Sequence, residues 1–466
     1  MNAPVTGPEN VPGNVPANVP AKGAPAAQGT AGAHPPRTPH PLRTELRRGL
    51  GPLSGLLIAA VLCAGMLDKA GSWQGQWGET SIMLRLAAML LAGPVAVAAG
   101  CWQGGRERRR GTGDLLAALP GSRLRRTLAA AAPTMVWPVV GYLLAAVVTA
   151  LMTWPYASAG GPFLSLLAAD AVALAALGLL GFVAGRLMPW RAAAPLLALC
   201  TYLALFRLAY DASDLAVLSP VQDHYYRWDQ PVWWFGPAAM AWTGGLAAAA
   251  LLAYAARRRA TALVPLAIAA AGAVLLVQTG DGLWRPDPAA AAPVCDDGTP
   301  RICVSRVHGK KLPGIAAGMA DLRAKLRNVP GAPVRFVSGP HALGPGEVRL
   351  PEFTEHYFER NRLINEENFA LNAAAAAVFP PGCEAAPDAD QYARTPVADA
   401  VVHWLAPDPV WDKHFGHLNP EAERAKPEYV RVRKRLSAMS KGERDAWLGE
   451  FLNATRACDT RKVSAP

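Results

Sequence analysis

An all-α polytopic membrane bundle of about six to seven spans, followed by a small α+β soluble domain, is the fold class this sequence predicts. Three observations carry it. The 466 residues are 52% hydrophobic and only 17% charged, against about a quarter charged in an average soluble protein. The deficit is local: residues 42–280 are mostly apolar, and acids and bases return in balance after residue 281. Arginine clusters recur at alternate ends of the apolar runs. The net charge of +11 therefore belongs to the membrane half, which argues against nucleic acid as a partner.

Residues 1–41 are rich in Pro, Ala and Gly. They cannot bury enough surface to fold and are expected to form a disordered cytoplasmic tail. No apolar h-region lies near Met1, so the first apolar run, Leu53–Leu67, reads as an uncleaved anchor. Crossing a hydrocarbon core takes roughly 20 apolar residues. Spans are expected near 50–68, 81–101, 128–152, 162–185, 190–209, 232–255 and 260–280. Arg43, Arg47 and Arg48 precede the first, and Arg106–Arg126 follows the second. Arg186 and Arg191 separate the fourth and fifth, and Arg257, Arg258 and Arg259 the last two. If every span crosses, all four clusters share one side, and positive charge marks that side as cytoplasmic. The opposite loops carry acids and the aromatics of an interfacial belt, among them Trp73, Trp77, Trp154 and Trp228. The expected location is the cell membrane, with the N-terminus inside and the C-terminal domain outside.

Charged groups inside spans are costly and usually functional. Asp170 is the deepest, about eight residues or roughly 12 Å into the fourth run. Arg207 and Arg85 lie near outer span ends, within reach of the interface by snorkelling. An Asp170–Arg207 or Asp170–Arg85 contact that gates a path is one reading; a pair that only fixes helix packing is the favoured one. Gly178 and Gly181–Gly185 in the same run permit close helix approach.

Arg106–Arg126 contains a unit of its own. Gly111 and Thr112 break the preceding helix, and Thr112 can cap a new one with Asp114 in its first turn. Leu115, Leu116 and Leu119 give it one apolar face, and Pro120 and Gly121 end it before Arg123. Such a helix holds anionic lipid or docks a cytosolic subunit. In Arg106, Glu107, Arg108, Gly111, Thr112, Asp114, Leu115, Leu116, Pro120, Ser122 and Arg123, the chain resembles the permease subunits of bacterial ABC-2-type exporters, over roughly residues 42–255. The Ala-, Gly-, Pro- and Arg-rich composition resembles that of actinobacterial proteins. The resemblance implies a coupling helix that contacts a cytosolic ABC ATPase, and a homodimer or a second permease as partner. The chain departs from that pattern by its seventh span and its large outer domain. It lacks the G-x4-G-K-[ST] phosphate loop, so the ATPase is expected to be a separate chain. The alternative is a polytopic anchor or sensor whose outer domain binds a ligand or envelope partner.

Residues 281–294 read as a linker to a domain at 295–466. Arg301–Val307 alternates as a strand, Leu312–Leu326 carries a helical stripe, and two strands are expected near Phe336 and Val348. Ser440–Glu443 is a capping box opening a helix with Trp447, Phe451, Ala454 and Cys458 on one face. Cys295, Cys303, Cys383 and Cys458 fit two disulfides in an oxidising compartment. Four cysteines allow three connectivities; Cys295–Cys303 with Cys383–Cys458 is the expected pairing, and free thiols in a cytoplasmic domain are the alternative. No catalytic cluster is evident: H-E-x-x-H and G-x-S-x-G are absent, and Phe415, Gly416 and Pro420 disrupt the spacing of His414 and His417. The expectation is a non-enzymatic chain without cofactor or metal.

Overall fold

The computed structural model describes residues 41–47, 50–111, 122–188, 190–209, 213–221, 224, 228–379, 396–407, 420–458 and 466. A short helix, α1 (Pro41–Arg47), leads into α2 (Gly51–Asp68), α3 (Trp77–Gly104), α4 (Arg123–Thr153), α5 (Leu164–Leu187), α6 (Ala193–Ala209), α7 (Phe235–Ala255) and α8 (Leu263–Thr279). Among the described residues, six helices are long and apolar enough to cross a membrane: α2, α3, α4, α5, α7 and the stretch Arg259–Leu283 that contains α8. The fifth expected span, α6, has 17 residues, about 25 Å of helix. It still carries the chain from one end of the bundle to the other. Arg186, just before it, contacts Glu107 after α3; Pro220, just after it, meets Arg85 near the start of α3.

The apolar side chains sort by what they face. Leu196, Leu199, Leu203 and Phe206 on α6 are exposed, as are Leu263, Val264, Ile268 and Val274 on α8. Surfaces this apolar suit lipid rather than water. Exposed tryptophans rim both ends of the bundle, Trp102 and Trp190 at one and Trp154 and Trp233 at the other, as expected of interfacial belts. The centre is α3 against α5. Their glycines face each other so closely that a methyl at Gly100 would overlap the Gly178 carbonyl, and one at Gly181 the Val97 carbonyl. Midway, α3 takes a π-helical turn over Ala88–Ala92, directly before Gly93-Pro94. Pro94 has no N–H to donate, and a wider turn accommodates the loss.

The C-terminal region builds a four-stranded sheet from β3 (Pro293–Cys295), β4 (Arg301–Ser305), β5 (Arg335–Val337) and β6 (Glu347–Arg349), in that order. β3 and β4 are antiparallel, with Cys295 opposite Cys303 in register; β4, β5 and β6 run parallel. The crossover from β4 to β5 is a helix pair, α9 (Leu312–Gly318) and α10 (Ala320–Leu326). The single predicted helix is thus broken at Met319, while the apolar stripe Ile315, Met319, Leu322 and Leu326 is buried as expected. Over it pack α11 (Glu366–Val378), α12 (Pro396–Leu405), α13 (Pro420–Ala438) and α14 (Lys441–Arg456). The Ser440–Glu443 capping box forms, and Trp447 stacks on Phe451 at 5.3 Å.

Residues 281–294 are not a plain linker. β2 (Trp284–Pro286) pairs with β1 (Asp229–Pro231) from the loop before α7, and Pro293 already opens the sheet. Trp284 explains the difference: it is buried between Phe163 and Phe235 at 6.2 and 6.0 Å, so the segment is held by the bundle.

Candidate functional site

Three places bear on function: the arginine-bearing end of the bundle, a charged cluster within it, and a cavity at its opposite end. At the first, Glu45 accepts two hydrogen bonds from the Arg106 Nη2, both 2.9 Å, and Glu107 is chelated by the Arg186 guanidinium. Arg108 donates to the Arg186 carbonyl at 2.7 Å, and Arg109 and Arg123 lie over the rings of Trp102 and Tyr254. Gly111 ends the Arg106–Arg110 turn at φ +64°, where the left-handed backbone favours glycine. Ser122 caps α4 by accepting from the Arg125 N–H. Thr112, Asp114, Leu115, Leu116 and Leu119, the core of the expected coupling helix, lie outside the described residues.

Inside the bundle, Asp170 on α5 pairs with Arg85 on α3, Nε to Oδ1 3.3 Å, and accepts from the Tyr142 hydroxyl of α4 at 3.1 Å. Arg85 does not snorkel: it is 5% exposed. Its Nε donates to the Pro220 carbonyl at 2.8 Å and its guanidinium lies over Phe235, so the charge is met within the protein. That donation leaves Asp170 Oδ1 with the ion pair but no hydrogen bond among the described residues. Arg207, the other candidate, is exposed on α6 and takes no part in the pair. Beside the pair is a void of about 10 Å³ lined by Ser219, Phe235 and Trp242, roughly the space of one water. Tyr142 carried no signal in the sequence, because nothing in its local pattern reveals a carboxylate 28 residues away.

At the opposite end the C-terminal domain rests on the bundle, within one compact unit spanning residues 41–466. Lys310 donates to the Pro155 carbonyl and the Ser158 hydroxyl at 2.8 and 3.0 Å. The tip of a small hairpin, β7 (Phe358–Glu359) and β8 (Arg362–Leu363), presses on the loop after α2. There the Arg360 N–H donates to the Gly71 carbonyl at 2.6 Å, and its side chain donates to Gln74, also at 2.6 Å. Arg360 sits at φ +57°, a strained backbone for a non-glycine residue that the contacts on both sides hold in place.

Between the C-terminal domain and the bundle lies a cavity of about 1120 Å³. Gln76 and Glu79 reach it from α3 and the turn before it, His224, Trp228 and Asp229 from the loop before α7, and Asp281 and Trp284 from the exit of α8. The domain contributes His308, Arg349, Glu352, Phe353 and Glu355. His224 stacks on Trp284 at 4.3 Å and pairs with Asp229 at 2.7 Å. Burial holds the His308 imidazole well below its usual pKa, and Lys311 next to it adds to the shift. Lys311 is itself buried, its ammonium 4.6 and 5.6 Å from the rings of Phe358 and Phe353. Burial lowers its pKa to about 8 against the opposing pull of Glu79. Glu355 stands at the cavity rim, and Phe358–Glu359 just after it is the first hairpin strand.

The Cys295–Cys303 disulfide forms, and Cys458 is also disulfide-bonded; Cys383, its expected partner, lies outside the described residues. Cys63, Cys101 and Cys200 are free thiols. His414 and His417 are outside the described residues, among which no cluster of three or more His, Cys, Asp or Glu suits a metal. No family model, curated protein or solved structure matches this chain.

Proposed function

We propose that the chain is the integral-membrane, non-catalytic subunit of an ABC-type exporter, driven by a separate cytosolic ATPase that docks on residues 106–126. The observation that supports this reading is the clamping of that segment at both ends. Glu45 and Arg186 fix its start through Arg106 and Glu107, and the Ser122 cap fixes its return into α4. The described ends of the segment thus connect a partner docked there to α1, α3, α4 and α5, the last three of which meet at Asp170. The test is affinity purification of the tagged chain from membranes of its native host. The wild type is expected to bring down an ABC ATPase, and Leu115→Ser/Leu116→Ser to lose it at unchanged membrane abundance. Retention of the ATPase by the double variant would contradict the docking reading.

The cavity favours a second reading, a polytopic receptor or anchor whose outer domain takes up a ligand. The two readings share the membrane topology, with the arginine end in the cytoplasm, and part on the ATPase.

A further inference from the structure

Small-molecule sites are typically cavities of about 300–1,000 Å³, largely apolar, with a few placed polar groups. The space between bundle and domain slightly exceeds that range, at about 1120 Å³, and its lining is chemically uneven. Among the described residues it holds five carboxylates, Glu79, Asp229, Asp281, Glu352 and Glu355, against one arginine, Arg349. Carboxylates thus outnumber arginines in this space, although the net charge of the chain is +11, and one of the five, Asp229, is paired with His224. Nor is the one arginine free to offset them nearby. Its guanidinium donates to the carbonyls of Gly339 and His341, at 2.6 and 2.8 Å. Asp281, Glu352 and Glu355 are exposed and have no ion-pair partner among the described residues.

A second observation is independent of charge. Four lining residues carry a buried polar atom with no hydrogen-bond partner among the described residues: Gln76 Oε1, Asp229 Oδ1, Trp284 Nε1 and His308 Nδ1. Gln76 is 3% exposed and Asp229 8%, so bulk water does not satisfy them. Leaving such groups unpaired costs about 1–3 kcal/mol each, a cost that natural interiors rarely carry without a function. Trp228, Trp284 and Phe353 supply aromatic surface in the same space, and aromatic faces attract cations.

We propose that this cavity binds an organic cation, an ammonium-type group carried on an apolar body. The carboxylates of Glu352, Glu355 and Asp281 draw the charge in. The tryptophans and Phe353 cover its apolar part. Because the walls come from both the bundle and the outer domain, an occupant touches both and couples them. The inference rests on the cavity as a ligand site and needs no ATPase, so its failure leaves the docking experiment untouched.

The test uses the purified full chain in zwitterionic lipid nanodiscs and two ions of near-identical size and opposite charge, tetraphenylphosphonium and tetraphenylborate. Titration calorimetry is expected to show saturable one-to-one binding of the cation, weakened by salt, and none of the anion. Asp281→Asn/Glu352→Gln/Glu355→Gln changes only exposed side chains, so the unfolding temperature should hold while cation affinity falls by at least about tenfold. Equal uptake of both ions, or a triple variant that binds the cation as tightly as the wild type, would overturn the proposal. Stoichiometric displacement of the cation by Ca²⁺ alone would also overturn it, by making the carboxylates a metal site.

Discussion

Replacing Arg85 by Ala is expected to destabilise the bundle by about 3–5 kcal/mol, the range for breaking a buried ion pair from one side. The loss exceeds one contact. Asp170 is 2% exposed and would keep only the Tyr142 hydroxyl, while the Pro220 carbonyl would lose its donor. Three helices and the loop before α7 meet at this point, so the damage spreads beyond α3. Asp170→Asn keeps an acceptor for Tyr142 but strands the Arg85 charge, and its cost should approach that of Arg85→Ala. The pair Arg85→Met/Asp170→Leu removes both charges at once and should cost far less than the sum of the single losses, because no buried charge is left unmet. Unfolding titrations in detergent on the two single variants and the double variant measure this directly. Additive losses would show that the two groups act separately. A packing role further predicts that folded Asp170→Asn retains function per molecule in the membrane; loss of function at normal abundance would instead mark the pair as part of a path.

Gly181→Ala and Gly185→Ala carry the second large effect. A methyl at Gly181 would overlap the Val97 carbonyl and one at Gly185 the Cys101 carbonyl. The obstacle in each case is backbone, which cannot swing aside as a side-chain end can. α3 and α5 must then move apart, and the helices lose the dispersion contacts on which packing in lipid depends. Each variant is expected to cost about 3 kcal/mol or more, the upper end for overpacking. Gly442→Ala, where an added methyl meets nothing within 4 Å, serves as control and should be neutral or slightly stabilising. Thermal unfolding of the three purified variants checks this; equal behaviour would mean that α3 and α5 do not pack through their glycines.

What could be read from the sequence divides along a physical line. Features written in local pattern were legible. The apolar runs became helices, the Ser440–Glu443 box became a cap, and the closely spaced Cys295 and Cys303 became a disulfide. Span ends were less so. α4 begins at Arg123, five residues before the expected 128, because a helix extends past the hydrocarbon as long as its polar ends are capped. Features made by distant residues were not legible. The Tyr142 bond to Asp170 is one. The cavity is another: its wall residues run from Ser72 to Glu355, and no period links them. Trp284 was invisible for the same reason, since a segment between two domains reads as a linker until its tryptophan finds Phe163 and Phe235. Asp170 itself was found by burial cost alone, but that rule left two partners open; only the fold selects Arg85, because α3 and not α6 brings a guanidinium against α5.

We propose that the arginine end lies in the cytoplasm and the C-terminal domain with its cavity on the other side, and one labelling experiment decides it. A chain with Cys63, Cys101 and Cys200 replaced by Ala has no free thiol among its described residues, since Cys295, Cys303 and Cys458 are oxidised. Lys441→Cys on the C-terminal domain and Arg110→Cys at the arginine end then place one reporter at each exposed site. In intact cells treated with a membrane-impermeant maleimide, Lys441→Cys is expected to label at once and Arg110→Cys only after permeabilisation. Labelling of Arg110→Cys in intact cells, or protection of Lys441→Cys until the membrane is opened, would contradict the account.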